Sequence, residues 1–316
     1  MLYRGLRVAL IVPCYNEEAT IGQVLRDFKA AMPEIERHVF NNASTDRTAL
    51  LAKAEDATVV DVPFKGKGNV VRRMFSDVEA DVYVMVDGDA TYNANSVNKM
   101  VDKLIDERLD MVVGCRKTSA NIAADAYRHG HQWGNRVLTN SVMTIFGGQF
   151  TDMLSGYRVF SRRYVKSIPA LSHGFEIETE LTVHALELRM PYGEVETPYG
   201  SRPVGSESKL STYKDGWKIA ITILRLYVSE RPFSFFGGTA LAIALTAVVL
   251  VLPVISEYLT SGTVPRFPTA ILAASMMVCS LISFVCGLVL DNVTRARHEV
   301  KRLAYLAVPL AQVTDD

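Results

Sequence analysis

The sequence is poor in cysteine and has no net charge. Only 4 of its 316 residues are cysteines, and their spacing fits neither a zinc site nor a disulfide framework. Two of them lie in long apolar segments, where cysteine serves as a small hydrophobic residue, so a reducing compartment is expected. The 34 Lys and Arg residues balance 34 Asp and Glu residues. Because nucleic-acid binding needs clustered positive charge, nucleic acid is excluded as a partner.

The N-terminal region has no apolar segment long enough for a signal peptide. Val8–Val12 is a run of five apolar residues, which Pro13 ends. Such a run is too short for the hydrophobic part of a signal peptide and has the length of a buried strand. We therefore expect a buried strand here and no signal peptide.

Two segments near the C-terminus contain no charged residue. Pro232–Ser256 has 25 residues and Phe267–Leu290 has 24. As helices with a rise of 1.5 Å per residue, each would be roughly 36 Å long, enough to cross a hydrocarbon core of about 30 Å. Buried helices of a soluble protein are the alternative, but two in tandem after a polar domain favour membrane spans. The short linker Glu257–Arg266 predicts that the two spans form a hairpin.

Basic residues flank this hairpin on one side only. Five precede the first span and four follow the second: Lys209, Lys214, Lys218, Arg225 and Arg231, then Arg295, Arg297, Lys301 and Arg302. The connecting loop has only Arg266. The positive-inside rule therefore predicts a protein of the inner or plasma membrane with its large N-terminal domain in the cytoplasm. The basic amphipathic stretch before the first span predicts a helix in the membrane interface, with a helix packed on the domain as the alternative.

The first 205 or so residues alternate short apolar runs with amphipathic stretches. The runs that predict strands are Arg7–Val12, His38–Phe40, Thr58–Val62, Asp81–Val86 and Met111–Gly114. The stretches that predict helices are Glu18–Ala31, a helix that Ser44-Thr45-Asp46 would cap, Val97–Glu107 and Leu181–Leu188. This alternation predicts an α/β fold with a mostly parallel sheet and helices on both faces. Ligands of such sheets bind at the carboxyl ends of the strands.

Polar clusters follow three of the predicted strands, at those carboxyl ends. They are Tyr15-Asn16-Glu17, Asn41-Asn42 and Asp87-Gly88-Asp89. The two carboxylates of the third cluster could hold Mg²⁺ or Mn²⁺, which would neutralise a departing diphosphate. A plain tight turn is the alternative for an Asp-Gly sequence. The segment Lys65-Gly66-Lys67-Gly68-Asn69 is expected to be a flexible basic loop that could approach phosphate.

The order of these motifs resembles the nucleotide-sugar domain of inverting family 2 glycosyltransferases. Further motifs resemble the polyprenyl-phosphate branch of that family, typified by dolichol-phosphate mannose synthases: Gly114-Cys115-Arg116, the segment 152–158, the segment 174–178 and the segment 202–209. The resemblance implies a GT-A fold with a Rossmann-like, mostly parallel sheet. It also implies transfer of a single sugar from a nucleoside-diphosphate sugar to a polyprenyl phosphate, with Mg²⁺ or Mn²⁺ as cofactor.

The resemblance also implies roles for individual residues. Pro13, Tyr15, Glu17 and Asn41 would line the base and ribose pocket, and Lys67, Asp87 and Gly88 would bind the rest of the nucleotide. Asp87 and Asp89 would hold the metal, with Asp89 favoured as the direct ligand. Arg116 and Arg128 would receive the lipid phosphate, and Arg202 and Lys209 would clamp either phosphate group. Family members often have Asp-Asp where this chain has Asn41-Asn42, which leaves the nucleobase open, with UDP favoured over GDP.

These inferences predict four segments in the chain. They are a cytoplasmic glycosyltransferase domain (1–208), an interfacial helix (209–231), a transmembrane hairpin (232–290, with spans 232–256 and 267–290) and a basic cytoplasmic tail (291–316). The sequence does not determine whether the protein forms a homo-oligomer. Two alternatives remain: a processive polysaccharide synthase, which usually carries a Gln-x-x-Arg-Trp string that this chain lacks, and a non-catalytic scaffold that binds nucleotide sugars. Glu176 and Glu178 are expected in an extended or turn segment, either as catalytic bases or as partners of arginines.

Overall fold

The computed structural model describes residues 2–117, 129–174, 176–200 and 212–311. These residues form two compact units. The first unit extends to Ile221 and resumes at Lys301, and the second unit is Thr222–Val300. Arg128, Arg202 and Lys209, three of the predicted phosphate-binding residues, lie outside the described residues.

The first unit is built on a sheet of seven described strands. They are β1 (Val8–Cys14), β2 (Glu36–Asn41), β3 (Thr58–Asp61), β4 (Val82–Met85), β5 (Met111–Lys117), β6 (Arg158–Ser161) and β7 (Tyr192–Pro198). Their order is β3-β2-β1-β4-β6-β5-β7, and β6 runs antiparallel to both of its neighbours while the other pairings are parallel. The predicted α/β fold with a mostly parallel sheet is therefore confirmed.

Helices cover both faces of this sheet. The described ones are α1 (Ile21–Ala31), α2 (Thr48–Ala54), α3 (Lys67–Asp77), α4 (Val97–Asp106), α5 (His129–Phe146), α6 (Arg162–Ser167) and α7 (Ile177–Glu187). A further helix, α8 (Thr212–Glu230), begins in the first unit and ends in the second. Side chains of β1 alternate between two apolar layers, so Leu10 packs in one layer and Ile11 in the other. Because both faces are covered, the strand is apolar along nearly its whole length rather than alternating with polar residues.

Two short segments differ from their predictions. Lys67 begins α3 instead of lying in a flexible loop, because Gly66 and Gly68 pack directly against the backbone of residues 172–173. A Cβ atom on either glycine would lie 2.1 Å from a carbonyl oxygen there. Glu178 lies in the first turn of α7, not in an extended segment. Both differences arise from contacts between distant parts of the chain, which local sequence patterns do not reveal.

The second unit contains the long apolar helices α9 (Pro232–Ser261) and α10, which spans Phe267–Leu306 and so continues beyond this unit. Among the described residues these two are long and apolar enough to cross a membrane, and only 17% of the most apolar window of each is buried. A core helix of a soluble protein would instead be mostly buried.

Buried residues recur at seven-residue intervals along α9 and α10, and most of them are small. They are Ala240, Ala247 and Val254 on α9, and Ala273, Ser280, Gly287 and Thr294 on α10. Ser280 Oγ donates a hydrogen bond to the Ala240 carbonyl at 2.7 Å. Small side chains let two helix backbones approach closely, which is how helices associate in lipid, where burial of apolar surface gives no advantage.

The chain after residue 290 does not form a separate tail over its described part. Helix α10 continues to Leu306, and the residues from Lys301 onward belong to the first unit. Lys301 pairs with Glu187 at 2.7 Å, and the Tyr305 hydroxyl donates to Asp110 at 2.8 Å. These contacts explain why a segment that looks like a basic tail in sequence folds against the domain instead.

Candidate active site

A cavity of about 370 Å³ lies at the carboxyl ends of β1, β4, β5 and β7. Its lining combines acidic, basic and aromatic side chains: Pro13, Cys14, Tyr15, Glu17, Asn42, Lys65, Gly66, Lys67, Val70, Asp87, Gly88, Asp89, Tyr92, Arg116, Leu154, Glu178 and Tyr199. Eight of the predicted site residues therefore meet here, at the position expected for a ligand of a parallel sheet. Among the predicted residues that the structure describes, only Asn41 is missing from the lining.

A lysine held between two carboxylates forms one wall of the cavity. Lys67 Nζ lies 2.5 Å from Asp87 Oδ1 and 2.6 Å from Glu178 Oε1. Burial alone would lower the pKa of Lys67, but the two carboxylates outweigh it and raise that pKa above its usual value. Lys67 therefore stays charged at physiological pH. The second oxygen of Glu178, Oε2, is buried and has no hydrogen-bond partner among the described residues.

The turn that carries Asp89 is held tightly. Asp89 is buried, and its Oδ1 accepts hydrogen bonds from the backbone N–H and the hydroxyl of Thr91, at 3.2 and 2.6 Å. The carbonyl of Gly88 accepts from the Thr20 hydroxyl at 2.6 Å, and a Cβ atom at Gly88 would lie 2.8 Å from Cys14 Sγ. The Asp87-Gly88-Asp89 segment is thus more than a plain turn, because distant residues fix it at the cavity.

Gly156 leaves room for the Asp87 carboxylate. A Cβ atom at Gly156 would lie 2.3 Å from Asp87 Oδ2, closer than any ordinary contact. The backbone N–H of Gly156 donates to the hydroxyl of Tyr92 at 2.9 Å, and burial raises the pKa of that hydroxyl. Asp87 is therefore bounded by Gly156 on one side and by Lys67 on the other.

Arg116 is anchored at the edge of the cavity by a carboxylate. Its Nε and Nη2 atoms donate to the two oxygens of Asp152, each at 2.7 Å, in a bidentate pair. Its guanidinium lies 5.6 Å from the centre of the Tyr199 ring. This arrangement fixes the orientation of Arg116. Its predicted role as a ligand of the lipid phosphate is untested.

Asn41 and Asn42 have different surroundings. Asn41 Nδ2 donates to Asp61 at 2.7 Å, away from the cavity lining. Asn42 lines the cavity, and its side chain donates to the Phe64 carbonyl at 2.7 Å and accepts from Gly66 N–H at 2.8 Å. These two hydrogen bonds of Asn42 hold the segment that precedes Lys67.

Sequence reasoning missed several cavity residues that a simple rule could have found. Tyr92 comes three residues after Asp89, and Tyr199 directly follows β7. Both lie just beyond the carboxyl end of a strand, where ligands of this kind of sheet bind. The sequence leaves two roles open for Glu178, because no local pattern indicates that it meets Lys67.

The carboxylates of this cavity suit a divalent metal. Asp87 and Asp89 offer the oxygen ligands that hard cations such as Mg²⁺ and Mn²⁺ prefer. The buried, unpartnered oxygen of Glu178 adds negative potential nearby. The residues present therefore fit a metal held by Asp87 and Asp89.

Comparison with known proteins agrees with this geometry. Residues 9–168 match the family model described as Glycosyl transferase family 2. Glycosyltransferase AglJ of Haloferax volcanii is 31% identical over 302 residues, which cover 95% of this chain and 98% of AglJ. The dolichyl-phosphate hexose transferase of the same organism is 27% identical, over 71% of this chain and 95% of that protein.

Solved structures share the fold at lower identity. Glucosyl-3-phosphoglycerate synthase from Mycobacterium tuberculosis, crystallised with Mn²⁺, UDP-glucose and phosphoglyceric acid, matches with a TM-score of 0.56 and 22% identity. The match covers 71% of this chain and 80% of that one. The likeness confirms the GT-A fold, and the named relatives support the polyprenyl-phosphate branch over a non-catalytic scaffold. The chain therefore belongs to glycosyl transferase family 2 and is a glycosyltransferase.

Proposed function

We propose that the protein transfers one hexose, with inversion, from a nucleoside-diphosphate sugar to a polyprenyl phosphate. The observation that carries this proposal is the meeting of Asp87, Asp89 and Lys67 in one cavity at the strand ends. A relative named dolichyl-phosphate hexose transferase supports a polyprenyl-phosphate acceptor, and a relative named low-salt glycan biosynthesis hexosyltransferase supports transfer of a hexose. We favour UDP over GDP as the nucleotide, since the neighbouring synthase structure contains UDP-glucose.

On the donor side, the cavity residues would bind the nucleotide and hold its diphosphate. Pro13, Tyr15 and Glu17 would form the base and ribose pocket at the end of β1. Asp87 and Asp89 would hold Mg²⁺ or Mn²⁺, which would supply positive charge against the departing diphosphate. Lys67 keeps the Asp87 carboxylate in place by a direct ion pair.

On the acceptor side, the site would have to orient the lipid phosphate, but it would not need a general base to activate it. A phosphate monoester has a second pKa near 6, so it is largely a dianion at pH 7 and already nucleophilic. Its oxygen would form the new bond to the anomeric carbon while the bond from that carbon to the donor diphosphate breaks. Glu178 is poorly placed to accept a proton, because its Oε1 binds Lys67 and its Oε2 is buried.

The same proposal places the enzyme at a membrane. Helices α9 and α10 would cross the bilayer as a hairpin, α8 would lie in the interface, and the first unit would be cytoplasmic. Their length, apolar composition and exposed apolar side chains support this placement. A membrane-bound enzyme would meet its acceptor where the lipid headgroup lies.

The test is transfer by the purified full-length chain in Mn²⁺, with a panel of UDP- and GDP-hexoses. Polyprenyl phosphate is compared with the same polyprenol lacking the phosphate, and the lipid product is identified by mass spectrometry. We expect product with the phosphate only, as an acid-labile glycosyl phosphodiester, with stoichiometric release of nucleoside diphosphate. Transfer to the free polyprenol, or to a saccharide hydroxyl, would refute the proposal and make Glu176 and Glu178 candidates for a base.

A further inference from the structure

We infer that Arg158 is a positioning residue that sets the place of Asp87 by holding the two segments that bound it. This inference rests on the proposed function, in which Asp87 helps to hold the metal of the donor complex. Arg158 begins β6, the antiparallel strand between β4 and β5, and does not line the cavity itself.

Arg158 is a completely buried arginine that binds neutral acceptors. Its exposed fraction is 0%, and the acceptors of its guanidinium are backbone carbonyls, the Thr182 hydroxyl and the Met111 sulfur. Its Nε donates to the Ser155 carbonyl at 3.0 Å, and its Nη2 donates to the carbonyls of Met153 and Glu178, the latter at 3.2 Å. Its Nη1 donates to the Thr182 hydroxyl at 3.0 Å. Burial of a charge is costly unless the charged group is hydrogen-bonded, so these acceptors keep the guanidinium in one orientation.

The first segment that Arg158 holds is the loop of residues 153–156. Two carbonyls of this loop accept from the guanidinium, which leaves little freedom for the residue that follows them, Gly156. Gly156 is the residue that lies against Asp87 Oδ2. A shift of this loop would therefore move one boundary of the Asp87 carboxylate.

The second segment is the start of α7. Arg158 binds the backbone carbonyl of Glu178, and the side chain of the same residue binds Lys67, which in turn binds Asp87. The Thr182 hydroxyl strengthens this anchor, since it accepts from Arg158 and donates to the Glu178 carbonyl at 3.0 Å. One planar guanidinium thus fixes both boundaries of Asp87.

A lysine cannot reproduce this arrangement. Arginine presents five donors in a rigid planar fork, whereas lysine offers three donors from a single atom. Arg158→Lys would keep the charge but release at least one of the two segments. Weakening the support of metal-binding groups typically lowers metal affinity by about 10-fold to 100-fold.

The experiment compares Arg158→Lys with Arg163→Lys, a matched control. Arg163 also anchors the domain, through a bidentate pair with Asp110 and a stacking contact with Tyr305, but it is remote from the cavity. Binding of Mn²⁺ in the presence of UDP is measured by electron paramagnetic resonance, and thermal stability is measured alongside. We expect both variants to be less stable, but only Arg158→Lys to bind Mn²⁺ about 10-fold more weakly.

A second variant covers the case in which Arg158→Lys does not fold. Thr182→Val removes one acceptor of the guanidinium at nearly constant volume, and we expect it to weaken Mn²⁺ binding about 3-fold. Unchanged Mn²⁺ binding in folded Arg158→Lys, or in Thr182→Val where Arg158→Lys does not fold, would overturn the inference alone. A wild-type chain that binds neither Mn²⁺ nor UDP would instead refute the proposed function, and this inference with it.

Discussion

Replacing Gly156 with alanine is expected to slow sugar transfer about 100-fold while the domain remains folded. The new Cβ atom would lie 2.3 Å from Asp87 Oδ2, whereas ordinary contacts begin at 3.4 Å. The carboxylate must therefore move by about 1 Å, and a displacement of that size in a reacting site costs about 10²-fold in rate. The backbone of Gly156 does not have a positive φ, so alanine adds no backbone strain.

The assay measures initial rates of transfer to polyprenyl phosphate over a range of Mn²⁺ concentrations. If Asp87 helps to hold the metal, Gly156→Ala should need more Mn²⁺ for half-maximal rate as well as losing rate at saturation. The control is Gly22→Ala, in α1, where a Cβ atom would meet only the ends of the Arg26 and Glu55 side chains, at 3.3 Å or more. That variant should have the wild-type rate and equal or slightly higher stability, by about 0.5–1 kcal/mol.

The result shows whether the rate of transfer depends on the position of the Asp87 carboxylate. A Gly156→Ala enzyme that keeps more than about one third of the wild-type rate, in the same Mn²⁺ range, would refute the reasoning, since the shift in Asp87 would then be harmless. Equal losses in Gly156→Ala and Gly22→Ala would also count against it, because the effect would reflect general sensitivity to added methyl groups.

Three further predictions concern the metal ligand, the topology and a buried histidine. Asp89→Asn should lower the rate on the order of 10²–10³-fold, and near-normal turnover would exclude Asp89 as a ligand. A cysteine at Ser261 should react with an impermeant maleimide in intact cells while a C-terminal cysteine does not, and the reverse pattern would overturn the hairpin orientation. Burial lowers the pKa of His184 to about 3, below its unfolded value of 6.5. The folded state therefore resists protonation, and its stability should fall by about 1.4 kcal/mol per pH unit below 6.5, measured by unfolding at pH 7.5 and 5.0. His184→Gln should lose correspondingly less stability over this pH range.

Much of the candidate site could be predicted because its motifs follow strands. Pro13 lies near the end of β1, Tyr15 and Glu17 follow that strand, and Asp87 and Asp89 follow β4. The carboxyl ends of parallel strands meet at one edge of a sheet, so sequence order alone brings these residues together. Asn41 is the exception, because its side chain turns to Asp61 on the neighbouring strand and Asn42 lines the cavity in its place.

The sequence by itself determined the class of the fold and most of its elements, but not such elements as β6, β7, α3 and α5. The periodicity of apolar residues reflects which side of a strand or helix is buried, so it predicted the alternating strands and helices, the face of α1 and the two long apolar helices. These properties depend on residues close together in the chain. Most of the predicted elements end within a few residues of their predicted bounds, but α10 continues well past Leu290, to Leu306.

Only the tertiary structure decided how the cavity is supported. Lys67, Asp87, Gly156 and Glu178 come from four separate segments, and their contacts depend on how those segments pack. The same holds for Arg158, which the sequence marks only as part of the segment 152–158 and which is fully buried in the structure. Charge and hydrogen-bonding capacity can be read from the sequence, but the partner of each group is chosen by the geometry of packing, because a buried polar group must find its acceptors among whatever the fold places beside it.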